Sequence, residues 1–273
     1  MSTMKVSIIT ATHNNAQYLE EVYKSVNSQS YEDWEWIVVD NSSTDYTQQV
    51  LSTVVDTRVK VITLSENLGV SAGRNKGLEA MQGDYFCFLD GDDLLSENSL
   101  SARLAVFQTD PEIEFVDGKV ISFINTIEHQ IETYMPAFEG NPFQELLSLS
   151  GKVFKGNTWM IRKVEGKSYR FLEGLTHGEE LLFYASICSS GKYAFTSETI
   201  LYYRRHAASA MANVPKLANG YYEIAKALKF LGGVDACLID LYKSRAAMVS
   251  FKSLLKDLKP FLAIKMALKI KWA

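Results

Sequence analysis

The chain of 273 residues is poor in cysteine: Cys87, Cys188 and Cys237 are odd in number and far apart. With no CxxC pair and no Cys/His ligand cluster, neither a disulfide framework nor a zinc site is supported. No stretch of about 20 apolar residues occurs, which excludes a membrane-spanning helix. The first apolar run, residues 6–11, is too short for a signal-peptide core and no small-residue cleavage site follows it, so the expectation is a soluble cytosolic protein. Repeats and low-complexity tracts are missing too. A phosphate loop is excluded, because Gly166-Lys167-Ser168 has Ile161 where the upstream glycine should stand, and no G-x-G-x-x-G exists.

Positive charge is scarce over most of the chain. The net charge is −4, from 28 Lys and Arg against 32 Asp and Glu. Residues 241–273 hold eight Lys/Arg against one acid, Asp257, a net +7, which leaves −11 for residues 1–240. An acidic body excludes nucleic acid or another polyanion as its main partner, and the basic tail needs its own explanation. At 47% hydrophobic and 22% charged, the composition is that of a globular protein rather than a disordered or collagen-like one. The length suits one large domain, or one domain with an appendage.

Along the first hundred residues, continuous apolar runs (6–12, 34–39, 59–64, 85–89) alternate with amphipathic stretches at helical spacing, around 19–26, 50–54 and 72–81. Apolar runs separated by helices predict a parallel sheet buried on both faces, and right-handed crossovers make it doubly wound. Ligands gather at the carboxyl ends of such strands. Polar residues stand at those ends here: Thr12-His13-Asn14, Asp40-Asn41-Ser42-Ser43 and Asp90-Gly91-Asp92-Asp93. After Asp110-Pro111 the pattern is mixed, with strands over 115–126, 131–134, 158–161 and 193–203 and helices over 143–149 and 179–189. From Lys216 onward it is helical.

Three carboxylates within Asp90-Gly91-Asp92-Asp93 repel one another unless they are exposed or neutralised by a cation, and oxygen donors favour Mg²⁺ or Mn²⁺. An EF-hand is excluded: with Asp90 as position 1, position 6 is Leu95 and position 12 is Ser101. The alternative is an acidic turn capping a helix that starts near Ser96. Asp40, at a strand end, is placed to accept a hydrogen bond from a nucleobase imide or a ribose hydroxyl, or to cap the next helix, while Ser43, Thr44 and Asp45 read as helix caps.

Taken in order, the motifs resemble family 2 glycosyltransferases of the GT-A fold. They are Val6-Ser7-Ile8-Ile9-Thr10-Ala11-Thr12-His13-Asn14; Val38-Val39-Asp40-Asn41-Ser42-Ser43-Thr44-Asp45; Glu66-Asn67-Leu68-Gly69 with Ala72-Gly73-Arg74-Asn75-Lys76-Gly77; the "DxD" element Asp90-Gly91-Asp92; Gly178-Glu179-Glu180; and Tyr202-Tyr203-Arg204-Arg205-His206. The resemblance covers about residues 4–210. It implies an α/β fold, a Rossmann-like and mostly parallel central sheet with flanking helices, plus a helical C-terminal region. The implied organisation is a GT-A domain over 1–212 (a nucleotide-sugar half, 1–117, and an acceptor half, 118–212) and a basic helical region over 213–273.

The same resemblance implies the residues' parts. Thr10, Ala11 and Thr12 meet a uracil edge, Asp40 accepts its imide proton, and Asn14, Asn67, Arg74, Gly91, Arg204 and Arg205 line the nucleotide-sugar. Asp90, Asp92 and His206 hold Mn²⁺ or Mg²⁺. Glu180 stands where the family keeps its base, commonly an Asp, with Glu179 the alternative; both also suit the first turn of a helix. The implied reaction moves a sugar, with inversion, from a UDP-sugar to a hydroxyl of a saccharide or lipid-linked acceptor in surface polysaccharide or glycolipid synthesis. A non-catalytic nucleotide-sugar-binding protein is the second reading. The third is a serine hydrolase on Gly69-Val70-Ser71-Ala72-Gly73, which matches G-x-S-x-G, although Ser65-Glu66-Asn67 separates that motif from its strand.

Acceptor recognition falls to residues 118–177, where Trp159, Tyr169 and Phe171 are candidate sugar platforms or core residues. In the tail, Leu254, Leu255, Leu258, Phe261, Leu262, Ile264 and Leu268 form an apolar stripe among lysines, broken at Pro260. Residues 252–273 read either as a peripheral element on the inner face of the plasma membrane or as helices packed on the acidic body or on a second subunit, as in a homodimer.

Overall fold

A computed structural model describes residues 4–175, 177–206 and 213–273. The first half is β1 (Val6–Thr12), α1 (Ala16–Asn27), β2 (Trp34–Asp40), α2 (Thr47–Ser52), β3 (Val59–Thr63), α3 (Val70–Ala80) and β4 (Tyr85–Phe88). The strands run parallel in the order β3-β2-β1-β4. Side chains alternate across the sheet: Val6, Ile8, Trp36, Val38 and Cys87 enter one core, and Ile9, Phe86 and Phe88 the other. β3 departs from the expected two-sided burial, with Val61 exposed, because it is an edge strand whose single neighbour among the described residues is β2.

The second half begins with β5 (Leu94–Leu95) and α4 (Ser99–Phe107). The helix expected from Ser96 starts three residues later, because Leu94 and Leu95 first pair with Tyr202 and Leu201. Then come β6 (Ile113–Ile124), β7 (Thr126–Tyr134), α5 (Phe143–Leu147), β8 (Met160–Arg162), α6 (Glu179–Ile187) and β9 (Lys192–Arg204). The sheet continues β4-β8-β6-β9-β5 with mixed polarity, and β7 hangs on β6 as a hairpin.

Helices α7 (Val214–Ala227), α8 (Ala236–Lys256) and α9 (Pro260–Lys271) complete the chain. Their starts follow the local sequence: Asn213 and Asp235 cap α7 and α8, and Pro260 opens α9, where a missing N–H has no consequence. The helices share a core with the sheet, since Ile224, Leu228, Tyr242, Ala246 and Ile270 pack in the cluster that holds Phe171 and Phe183. The expected boundary at residue 212 lies outside the described residues. Among the described residues, no helix is long and apolar enough to cross a membrane.

The aromatic candidates of the middle region belong to the core. Trp159 is fully buried and stacks on Tyr184 at 4.2 Å, Phe171 stacks on Phe183 at 4.1 Å, and Tyr169 meets Phe86 edge-on.

Helix α3 lies directly on β1 because it carries glycine where they touch: a Cβ on Gly77 would fall 2.3 Å from Ile9 Cγ2. Gly77→Ala therefore forces the helix off the strand, and overpacking of this kind costs about 1–3 kcal/mol. The unfolding free energy extrapolated from urea titration should drop by that amount, with a lower midpoint at an unchanged m value.

Candidate functional site

Strand β1 lies between β2 and β4, so a crevice opens at the carboxyl ends of these three strands. Asp40 closes β2 and is fully buried. Its Oδ1 accepts the Ser43 N–H at 3.0 Å, and its Oδ2 has no partner among the described residues. A buried carboxylate oxygen without a donor is destabilising, and a ligand N–H would relieve it. Asn14, in the left-handed region at φ 56°, ties the β1 loop to the β2 loop: its N–H donates to Ser43 Oγ at 2.9 Å and its Oδ1 accepts the Thr44 N–H at 2.8 Å. Asn67 Oδ1 accepts from Asn41 Nδ2 and from the Gly69 N–H, both at 3.0 Å, which fixes the entry to α3. His13 faces the Asn41 carbonyl at 3.0 Å. Thr10 Oγ1 accepts the Trp36 indole N–H at 2.9 Å, and Ala11 packs where Gly73 leaves room.

The acidic turn comes up against this strand end. A Cβ on Gly91 would lie 2.8 Å from Thr12 Oγ1, itself unpartnered among the described residues, and 2.9 Å from Asn15 Nδ2. Pairing of β5 with β9 brings the end of β9 beside the turn. There the Arg204 N–H donates to Asp93 Oδ1 and its Nε to the Asp92 carbonyl, both at 2.8 Å. Its Nη1 donates to the Asn125 carbonyl at 3.1 Å and its Nη2 to Glu21 Oε2 at 2.6 Å. The guanidinium also lies between the Tyr18 and Phe123 rings. Arg204, expected to line the nucleotide-sugar, is thus held by protein groups on every side and braces the turn from behind. Half-exposed Arg205 pairs with Glu132 of β7 at 2.9 Å.

His206 stacks on Tyr18 and places Nε2 2.8 Å from Asp92 Oδ2. Burial raises the Asp92 carboxyl above its ordinary pKa, with the Asp90 charge adding and His206 opposing. Asp93 is pushed well above by burial and by its two neighbouring aspartates. Among the described residues, no group of three or more His, Cys, Asp or Glu closes a metal cage. Asp92 and His206 converge, and Asp90 Oδ1 is held by Arg74. The donor set therefore suits a divalent cation whose remaining coordination comes from a ligand with its own oxygens.

Arg74 joins the two sides of the crevice. It is 2% exposed, and its guanidinium reaches Asp90 Oδ1 at 2.8 Å, Glu179 Oε1 at 3.1 Å and Glu180 Oε1 at 3.3 Å. Asn157, with its amide oxygen turned inward, accepts from the same guanidinium at 2.8 and 3.2 Å. Burial works against the Arg74 charge, but the carboxylates of Asp90, Glu180 and Glu179 outweigh it and keep the group ionised. One cation facing three carboxylates leaves an excess of negative charge. Burial, and next Glu179, lift Glu180 to about 7; Arg74 opposes and Asp90 adds.

The two glutamates open α6, where the helix dipole favours acids. Gly178 in front of them is left-handed at φ 78°, and Ile224 of α7 packs against it. On the same helix, Gly220 approaches His177 so closely that a Cβ would meet its carbonyl oxygen at 2.4 Å. Helix α7 thereby sets the height of the loop that carries the glutamates.

The structure thus gathers Asp90, Arg74, Glu179 and Glu180 in one cluster and sets Asp92 with His206 beside it, with Asp40 at the neighbouring strand end. Asn157, Tyr18 and Glu21 were missed by sequence reasoning; none belongs to a motif, and pairs more than 80 residues apart leave no local signal. The G-x-S-x-G reading does not survive. β3 ends at Thr63 and α3 begins at Val70, so no strand runs into a serine turn, and Ser71 is buried inside the helix.

The family model for glycosyl transferase family 2 matches residues 7–165. TuaG of Bacillus subtilis (strain 168), named for teichuronic acid biosynthesis, is 43% identical over 101 residues, 36% of this chain and 40% of its own length. An uncharacterized glycosyltransferase of Haemophilus influenzae is 30% identical over 220 residues, 80% of this chain and 82% of its own. Among solved structures, S. aureus TarS 1-349 in complex with UDP-GlcNAc has a TM-score of 0.72 at 17% identity, covering 98% of this chain and 89% of that one. The mannosyltransferase PcManGT from Pyrobaculum calidifontis, in complex with GDP-Man and Mn²⁺, has 0.63 at 16%, covering 96% and 73%. The fold is GT-A, as the motif order implied.

Replacing Arg74 by Met leaves three carboxylates facing one another without a cation. Removing one member of a buried ion cluster costs about 3–5 kcal/mol. The loss should be larger at pH 8 than at pH 5, because Glu180, which Arg74 holds down to about 7, sheds its proton as the pH rises. Protonation of Glu180 toward pH 5 removes part of the repulsion. Urea unfolding of the wild type and Arg74→Met at the two pH values measures this, and an equal penalty at both would contradict it.

Proposed function

The chain belongs to glycosyl transferase family 2, and from that premise we propose that it moves a sugar from a UDP-sugar to a hydroxyl of a saccharide or lipid-linked acceptor. The transfer inverts the anomeric carbon and uses Mn²⁺ or Mg²⁺. The observation that carries this reading is the meeting of Asp90, Glu179 and Glu180 on the single guanidinium of Arg74. It joins a leaving-group side to an acceptor side.

In this reading Asp40 Oδ2, which has no donor among the described residues, accepts the uracil imide N–H, with backbone groups of Thr10, Ala11 and Thr12 along the same edge. Asn14 and Asn67 hold the two loops that shape this pocket. Gly91 lets the acidic turn come close enough for Asp90, Asp92 and His206 to hold the cation, and Arg204 keeps that turn in place. A cation held by these residues would supply positive charge against the departing diphosphate. Arg74 adds a fixed positive charge that needs no reorganisation, and Arg205 lies at the rim. Glu180 takes the proton of the attacking hydroxyl, and a group that titrates near 7 is matched to that task. Glu179, more tightly held by burial, keeps Arg74 in line.

The donor half corresponds to residues 1–117, the acceptor half to 118–212 and the helical region to 213–273. The relative named for teichuronic acid biosynthesis supports a polysaccharide acceptor; in this reading the protein works in the cytoplasm, at the inner face of the plasma membrane.

Incubation with UDP-sugars and Mn²⁺ should release UDP. Glu180→Gln should lower the rate by about 100- to 10,000-fold, the usual worth of a general base. Asp92→Ala should abolish the metal dependence, and Ser71→Ala should leave the rate intact. UDP should raise the melting temperature of the wild type, and Asp40→Asn should shrink that rise at equal UDP concentration. Metal-dependent release unchanged by the Asp92 and Glu180 substitutions would overturn the assignment.

A further inference from the structure

Helix α9 has two apolar faces. One, formed by Ala263, Met266 and Ile270, is buried against the rest of the chain. The tail stripe read from the sequence divides accordingly: Leu254 is fully buried and Leu262 partly so, while the remainder turns outward. Leu258 and Phe261 are 88% exposed, Trp272 82%, and Ile264 and Leu268 53% each. Phe261, Ile264, Leu268 and Trp272 follow at spacings of three and four, which puts them on one line opposite the packed face. A helix apolar on both sides is ordinarily enclosed; here one side has no cover among the described residues.

The charge around the line narrows what covers it. Lys252, Lys256, Lys259, Lys265, Lys269 and Lys271 are all exposed, and Asp257 is the single acid of residues 241–273. A second copy docked stripe to stripe would set lysines against lysines. A surface that is apolar within and anionic at its face matches both features at once. Lysine stems extend along such a boundary while their ammonium groups meet phosphates, and the Trp272 ring suits the interface.

We propose that the outward face of α9, extended by Leu255 and Leu258, docks this protein on an anionic lipid bilayer. Its Phe261–Leu268–Trp272 line enters the acyl boundary and its lysines lie among the headgroups. The proposal rests on the functional reading only for the location of the acceptor, and binding is measured with neither donor nor acceptor present, so the two can fail separately. Docking there leaves the crevice free to work, because α9 contributes none of the residues that line it.

The full-length protein is sedimented with vesicles of phosphatidylcholine containing about 30% phosphatidylglycerol, and with phosphatidylcholine alone. The expected result is strong binding to the first, little to the second, and loss on raising salt. The exposed triple variant Phe261→Ser, Leu268→Ser, Trp272→Ser should stay in the supernatant with an unchanged melting temperature and unchanged UDP release. The triple variant Lys256→Gln, Lys265→Gln, Lys271→Gln should bind about 100-fold more weakly, at about fivefold for each lysine near an anionic surface. Equal binding to both vesicles, or wild-type binding by either variant, would overturn the proposal. So would a wild-type dimer, seen by sedimentation velocity, that the apolar variant dissolves, since the stripe would then belong to a second copy.

Discussion

One guanidinium holds the centre of this molecule. Arg74 sits on the helix that lies on β1, and it bonds to a carboxylate 16 residues ahead and to two more over a hundred residues away. Folding has to bring α3, the acidic turn and the start of α6 to one point before those charges are satisfied. Glycines make the approach possible: Gly73 and Gly77 let α3 down onto β1, Gly91 lets the turn up to Thr12, and Gly178 with Gly220 lets α7 press on the loop before α6. Without that convergence, Arg74 would be a buried charge, and a buried unpaired charge is among the most destabilising features a protein can carry.

The same arrangement is left incomplete in a particular way. Three carboxylates share one cation, two more aspartates are raised by burial and mutual repulsion, and a carboxylate oxygen of Asp40 has no donor among the described residues. Each deficit is of a kind that a cation or an N–H donor would relieve. A nucleotide-sugar with its metal would meet them together, which is why ligand binding and stability should be linked in this protein.

The parallel half of the fold was legible because each of its strands is a short apolar run flanked by amphipathic helices, a pattern that a sheet covered on both faces requires. Asp40, Asp90 and Asp92 could be found because they follow such runs directly. β5 could not, since two leucines have no periodicity; yet its pairing with β9 is what brings His206 to Asp92. Asn157 at Arg74 and Glu21 at Arg204 were hidden for the same reason, as isolated polar residues that acquire meaning only through tertiary contact. In the tail, composition announced an apolar and basic helix. Which leucines turn inward depended on how α7, α8 and α9 pack on one another, and that split Leu254 and Leu262 from the rest of the stripe.

Burial, together with a neighbouring Glu179 charge that Arg74 only partly compensates, raises Glu180 so that it exchanges its proton near neutrality. The direct measurement is a carbon-13 NMR titration of protein labelled at the glutamate side-chain carboxyl carbon, with Glu180 assigned by its absence in Glu180→Gln. The carboxyl of Glu180 should show a titration midpoint near 7 in the ligand-free protein. A midpoint at the ordinary glutamate value of 4.5 would contradict it.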